Sequence, residues 1–176
     1  MTFAEIGLTI LQAFWFIAPA YAANAFPPLV RGKKPIDRGK KFFGNRLLGN
    51  GKTKEGTMGG IAFGIFIGLV QIYFQPMIPD NLGLIEMSVP LILCLSFGAI
   101  FGDIIGSFVK RRFGIKRGDS VPLLDQLDFL VMAIALSFLV VDVATTYILI
   151  LLILTPVIHY IASILGYILK IKKVPY

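Results

Sequence analysis

The chain has 176 residues, 56% of them hydrophobic and only 15% charged, with mean hydropathy +0.80. An apolar fraction this large excludes an ordinary soluble domain and implies an integral membrane protein. The net charge of +7 is explained in a multispan chain by orientation and contact with anionic headgroups, which excludes nucleic acid as the partner.

Five segments have the roughly 20 apolar residues needed to cross about 30 Å of hydrocarbon. The predicted spans are Phe3–Phe26, Met58–Ile78, Met87–Val109, Leu123–Val141 and Thr145–Leu169. The first has no basic start and is too long for a cleaved signal peptide. Trp15 within it reads as packing, and Asn24 at its end as a cap for terminal backbone groups. A loop of about residues 27–57 follows, opened by Pro27, Pro28 and Pro35 and closed by the glycines of RLLGNGKTKEGTMGG. Gly51-Lys52-Thr53 resembles the end of a nucleotide-hydrolase phosphate loop. Arg46 stands where that pattern needs glycine, however, and the chain offers no strand-to-helix unit. Two readings stay open: amides and cations that cradle a polyphosphate, or a solvated basic loop. The second span is the weakest, being interrupted by Gln71, Gln75 and Pro76.

The third span contains the sharpest pattern. Asp103, Ser107, Lys110 and Arg111 follow i, i+4, i+7 and i+8 spacing and share one helical face. A charged side chain at membrane depth costs roughly 2.5–3.5 kcal/mol on insertion scales, so it is seldom present without a task. Asp103 reads either as part of a site or as a structural acid paired with a base. Gly102 and Gly106 allow another helix to approach closely. Cys94, the single cysteine, lies in this apolar run and supports neither a disulfide nor a metal framework. A second loop of about residues 110–122 carries Asp119, which is ambiguous between a site acid and a turn residue. Asp125 and Asp128 then open the fourth segment three residues apart, so both can point at one site. Helix capping explains Asp125 well and Asp128 poorly. With Asp103 they form an oxygen donor set suited to Mg²⁺ and substrate phosphate. In the last segment His159 follows Pro156 by three residues and is expected to bond a neighbouring helix.

The basic residues fix the topology. Nine lie between Arg31 and Lys54, five between Lys110 and Arg117, and three at Lys170, Lys172 and Lys173. The N-terminus, the Pro79–Glu86 loop and the turn at Asp142 carry only acids. Five spans put all three basic clusters on one face, which the positive-inside rule makes cytoplasmic. The expectation is an all-α polytopic protein in the cell membrane, residues 1–176 forming one catalytic domain. Its N-terminus is outside and its C-terminus cytoplasmic.

Two blocks, GNGKTKEGTMGG at residues 49–60 and FGDIIGSFVKRRFGIKRGDSVPLLDQLD at residues 101–128, resemble the CDP-archaeol synthases. These are archaeal CTP-dependent lipid cytidylyltransferases, and the likeness extends more distantly to the CDP-diacylglycerol synthases. Gly51, Lys52, Thr53, Gly56, Gly59 and Gly60 match the P-G-K-T-x-x-G-x-x-G-G pattern of the latter. Gly102, Asp103, Ser107, Lys110, Arg111, Gly114, Ile115, Lys116, Asp125 and Asp128 match the second pattern. Gln126 departs from its D-R-x-D, and the Lys116–Asp125 linker is shorter.

The resemblance implies an enzyme that condenses CTP with an isoprenoid ether lipid phosphate, 2,3-bis-O-(geranylgeranyl)-sn-glycerol 1-phosphate, releasing CDP-archaeol and pyrophosphate. It implies Mg²⁺ as cofactor, held by Asp103, Asp125 and Asp128. Lys110 completes the catalytic set, and Lys52, Thr53, Ser107, Arg111, Lys116 and Asp119 contact CTP or phosphate. A CTP-dependent polyprenol kinase is the rival enzyme. A small cation-coupled transporter using Asp103 is the non-enzyme rival, disfavoured by the absence of an internal inverted repeat. The topology predicts that a cysteine at position 81 (Asn81→Cys) reacts with an impermeant reagent added to intact cells. One at position 57 (Thr57→Cys) stays unlabelled.

Overall fold

A computed structural model describes residues 2–115, 119, 121 and 123–170. Its elements are α1 (Phe3–Ala25), α2 (Pro27–Val30), β1 (Lys41–Phe42), β2 (Asn45–Arg46), α3 (Lys54–Phe74), α4 (Val89–Arg112), α5 (Leu124–Ser137) and α6 (Thr145–Ile168). Helix α1 starts on a capping box in which the Thr2 hydroxyl accepts from the Glu5 amide and the Glu5 carboxylate from the Thr2 amide. Thr53 caps α3 and Ser88 caps α4 through the same type of hydroxyl acceptor. The Thr53 cap starts α3 four residues before the expected span. Gly56 therefore belongs to the helix and not to the loop.

Among the described residues, four helical stretches are long and apolar enough to cross a membrane: Phe3–Val30, Lys54–Met77, Val89–Arg112 and Thr145–Ile168. Helix α5 falls short of its expected Leu123–Val141. Its 14 residues rise only about 21 Å at 1.5 Å per residue. It ends where the Ser137 hydroxyl donates to the Ile134 carbonyl and the Val140 and Val141 amides turn back onto the Ser137 carbonyl. Side-chain bonding of this kind competes with helix continuation. The start of α6 lies at the end away from the 31–53 loop. There the Tyr147 hydroxyl donates to Gln12 Oε1 at 2.9 Å, and Gln12 Nε2 to the Leu82 carbonyl at 2.8 Å.

Helix α4 packs against α1, α3 and α5, and α1 also contacts α6. Phe16, Ile17, Leu91, Leu95, Phe129, Leu130 and Leu151 form the dry centre. Lipid is as apolar as leucine, so association depends on close packing and interhelical hydrogen bonds. Tyr21 Oη and Thr155 Oγ1 meet at 2.6 Å, Gln71 Nε2 donates to the Trp15 carbonyl at 2.7 Å, and Trp15 Nε1 to the Ile85 carbonyl at 3.1 Å.

The close packing comes from glycine rows at four-residue spacing. On α3, a Cβ at Gly60 would meet the Ala23 carbonyl oxygen at 2.6 Å, and one at Gly64 would meet Ser96 Oγ at 2.6 Å and the Pro19 carbonyl oxygen at 2.7 Å. At Gly68 it would strike Ile92. On α4, Gly98 faces the backbone of Ala133, and Gly102 and Gly106 face Asp128. Gly64→Val is therefore expected to cost about 1–3 kcal/mol or more through overpacking, lowering the thermal midpoint in detergent. Gly7→Ala, where nothing lies within 4 Å, should leave that midpoint unchanged.

Candidate active site at the loop end of the bundle

The 31–53 loop is organised around one buried acid. Asp37 is 3% exposed and accepts five hydrogen bonds. Arg46 supplies two, at 2.6 and 3.1 Å, and the amides of Gly39, Leu48 and Gly49 supply three at 2.9–3.1 Å. The Arg46 guanidinium, outweighing burial, and these amides hold the carboxyl well below the usual carboxylate range. The β1–β2 hairpin brings Arg46 back to Asp37, pairing Lys41 with Arg46 and Phe42 with Asn45. Either side of Lys52, the loop is fastened by Ile36 N to the Lys52 carbonyl at 2.8 Å and Lys54 N to the Lys34 carbonyl at 2.9 Å.

This frame presents Lys52 to the membrane helices, where its Nζ meets Asp103 Oδ2 at 2.5 Å. One helix over, Lys110 Nζ meets Asp125 Oδ1 at 2.5 Å, while Asp125 Oδ2 accepts from the Val121 amide at 3.0 Å. Asp128 sits where α5 presses on the α4 glycines. It accepts from the Phe129 amide at 2.6 Å and feels the charges of Asp103, Asp125 and Lys52. Two of the three carboxyl groups, Asp103 and Asp125, have a lysine ammonium as partner. Arg111 does not join the carboxylates. Its Nε donates to the Leu48 carbonyl at 3.3 Å, its Nη1 to the Ile115 carbonyl, and its guanidinium packs on Gly49. Arg112 likewise donates to the carbonyls of Phe42 and Arg46.

A cavity of about 540 Å³ opens beside these pairs. Lys52, Thr53, Asp103 and Asp125 give it a charged wall, and α1 and α6 supply Tyr21, Asn24, His159 and Ser163. Thr53 lines the cavity while its hydroxyl accepts from the Gly56 amide at 3.2 Å. Ser107 is buried in α4, Asp119 is exposed between α4 and α5, and Lys116 lies outside the described residues. Among the described residues no three acid, histidine or cysteine side chains converge into a ready metal cage. The expected convergence of Asp103, Asp125 and Asp128 is replaced by two lysine–carboxylate pairs with Asp128 behind them. Their chemistry nevertheless fits a hard divalent cation, since all three offer only carboxylate oxygens.

The family model described as CarS-like: CDP-archaeol synthase matches residues 6–176. The chain belongs to this CDP-archaeol synthase family. A CDP-archaeol synthase of Thermococcus kodakarensis is 46% identical over 169 residues, spanning 96% of this chain and 97% of that protein. One from Methanococcus maripaludis is 44% identical over 176 residues, with 97% and 98% covered. A solved structure of an intramembrane enzyme for archaeal membrane lipids biosynthesis has TM-score 0.77 and 37% identity, covering 88% of this chain and 94% of that one.

For this CDP-archaeol synthase family member, sequence reasoning missed Asp37 and gave Asn24 and His159 only local structural roles. Asp37 sits in a stretch with no period to mark it, and its five donors converge only in three dimensions. Asn24 and His159 are 135 residues apart and meet only through the α1–α6 contact. Because the folded-state pKa of Asp37 is depressed, its stabilisation is complete above the unfolded value near 4 and is lost as pH falls below it. Asp37→Asn should lower the thermal midpoint by a constant amount between about pH 5 and 8. The gap to the parent should close as pH is lowered below about 4.

Proposed function

We propose that the chain transfers the cytidylyl group of CTP to 2,3-bis-O-(geranylgeranyl)-sn-glycerol 1-phosphate, giving CDP-archaeol and pyrophosphate. The observation that carries this reading is the cavity between membrane helices whose wall holds Lys52, Asp103 and Asp125, with Lys110 paired to Asp125 behind it. Family membership supports the same reaction. The lipid phosphate oxygen attacks the α-phosphorus of CTP, the bond to the β-phosphate oxygen breaks, and pyrophosphate leaves. No protein nucleophile is needed, so catalysis consists of alignment and charge neutralisation.

In this reading Lys52 and Lys110 shift from their carboxylates to substrate phosphates, releasing Asp103 and Asp125. Asp103, Asp125 and Asp128 would hold Mg²⁺, which supplies neutralisation of the triphosphate. Arg111 and Lys116 are assigned to CTP or lipid phosphate by the family pattern, and Thr53, Ser107 and Asp119 are secondary contacts. Asn24 and His159, on the uncharged wall, face the nucleoside. The lipid tails remain between the helices and the bilayer.

The whole of residues 1–176 acts as one catalytic domain with the site at the cytoplasmic face. In that arrangement α5 and the extended residues that follow complete a fifth crossing, leaving the N-terminus outside and the C-terminus inside. The one-sided basic clusters support this orientation.

With α-labelled CTP, Mg²⁺ and the ether-lipid phosphate, label should pass to the lipid, whereas a polyprenol kinase would leave it in CDP. Without lipid, the denatured enzyme should carry no label. Asp103→Asn, Asp125→Asn and Asp128→Asn should each slow turnover by on the order of a hundredfold or more, matching several kcal/mol of lost charge stabilisation. Near-normal rates in all three, at saturating Mg²⁺, would overturn the assignment.

A further inference from the structure

The β1–β2 hairpin has a tip that neither the loop frame nor the site uses. Its turn residues Phe43 and Gly44 both have positive φ, 48° and 81°, as a tight two-residue hairpin turn of the I′ kind requires. Asparagine or glycine suits the first of these positions; a bulky aromatic there is an outlier. Phe43 nonetheless occupies it and is 86% exposed, with the 47% exposed Phe42 ring edge-on at 4.5 Å. Lys40 and Lys41, immediately before these rings, are exposed as well.

The position of this tip relative to the bilayer follows from α4. Arg112, the last residue of that helix, donates to the carbonyls of Phe42 and Arg46. Its guanidinium lies between two rings, 5.2 Å from the centre of Phe42 and 5.0 Å from that of Phe108. Phe42 and Phe108 are themselves 6.4 Å apart. Phe108 is one helical turn inside the end of a membrane-length helix, about 6 Å along the axis. The hairpin is thus clamped to the last turn of α4, at the end of a helix long and apolar enough to cross a membrane. Aromatic rings and lysines together are the composition that the boundary between acyl chains and headgroups favours.

We infer that the Lys40–Arg46 hairpin is an interfacial anchor, its Phe42 and Phe43 rings entering the acyl boundary while Lys40 and Lys41 bind anionic lipid phosphates. The rings sit roughly 5–10 Å below the headgroup surface. The anchor fixes the height of the loop, and so of Lys52, relative to the membrane. It depends on membrane embedding alone and not on the reaction assigned above.

The test uses the full chain with Phe43→Trp, reconstituted in vesicles containing anionic lipid. The spectrum of the parent protein, whose single tryptophan is Trp15, is subtracted. Indole emission should be blue-shifted, poorly quenched by aqueous acrylamide, and quenched more by lipids brominated near the carbonyl end of the chain than near the methyl end. Replacing the anionic lipid with a zwitterionic one, or introducing Lys40→Ala with Lys41→Ala, should shift emission to the red. Emission typical of hydrated indole with no response to brominated lipid would overturn the anchor. Stronger quenching by the deep bromines would overturn its interfacial depth. Identical spectra in anionic and zwitterionic vesicles would overturn the role of the lysines.

Discussion

The arrangement at the loop end of the bundle depends on helices approaching more closely than ordinary side chains permit. Within lipid there is little hydrophobic gain in bringing two apolar helices together, so contact must come from shape and hydrogen bonding. Glycine rows on α3 and α4 supply the shape. The α4 row lets α5 lie so near that the Asp128 carbonyl and carboxylate fill the space of two absent side chains at Gly102 and Gly106. That contact brings the first turns of α5 beside Asp103. A span acid and two helix-start acids are brought to neighbouring positions by this packing.

Charge balance then determines which arrangement of that group is stable. Two carboxylates have an ammonium partner at 2.5 Å, drawn from different parts of the chain: Lys52 from the loop, Lys110 from the helix end. The neighbouring arginines have another task. Arg111 and Arg112 reach the carbonyls of Leu48, Phe42 and Arg46, tying the loop to α4. The basic cluster that looks uniform in sequence is therefore divided, with lysine placed at the acids and arginine at the scaffold. The planar, multiply donating guanidinium suits several carbonyls at once, while the compact ammonium can pass from a carboxylate to a phosphate.

Asp37 makes the loop a rigid part of this arrangement. One carboxylate receives five donors, so a stretch rich in glycine and lysine has a fixed path without an apolar core of its own. Lys52 is thereby held at a fixed place beside α4.

Four of the five span positions and the placement of Asp103 and Lys110 on one helix beside the acids of the next were legible in the sequence. Each follows from local composition or helical period, and so does the role of Gly102 and Gly106 as a close-approach surface. The family blocks were legible for the same reason, being contiguous. Other features required the folded chain. The Thr53 cap drew Gly56 from the expected loop into α3, and α5 ended at Ser137, short of its expected span. Asp37 gained its importance from donors up to twelve residues away, and Asn24 and His159 reached one cavity across the whole length of the chain. Period and composition report which face of an element is apolar. They do not report which partner a charged or polar group will find, because that depends on distances between elements far apart in sequence.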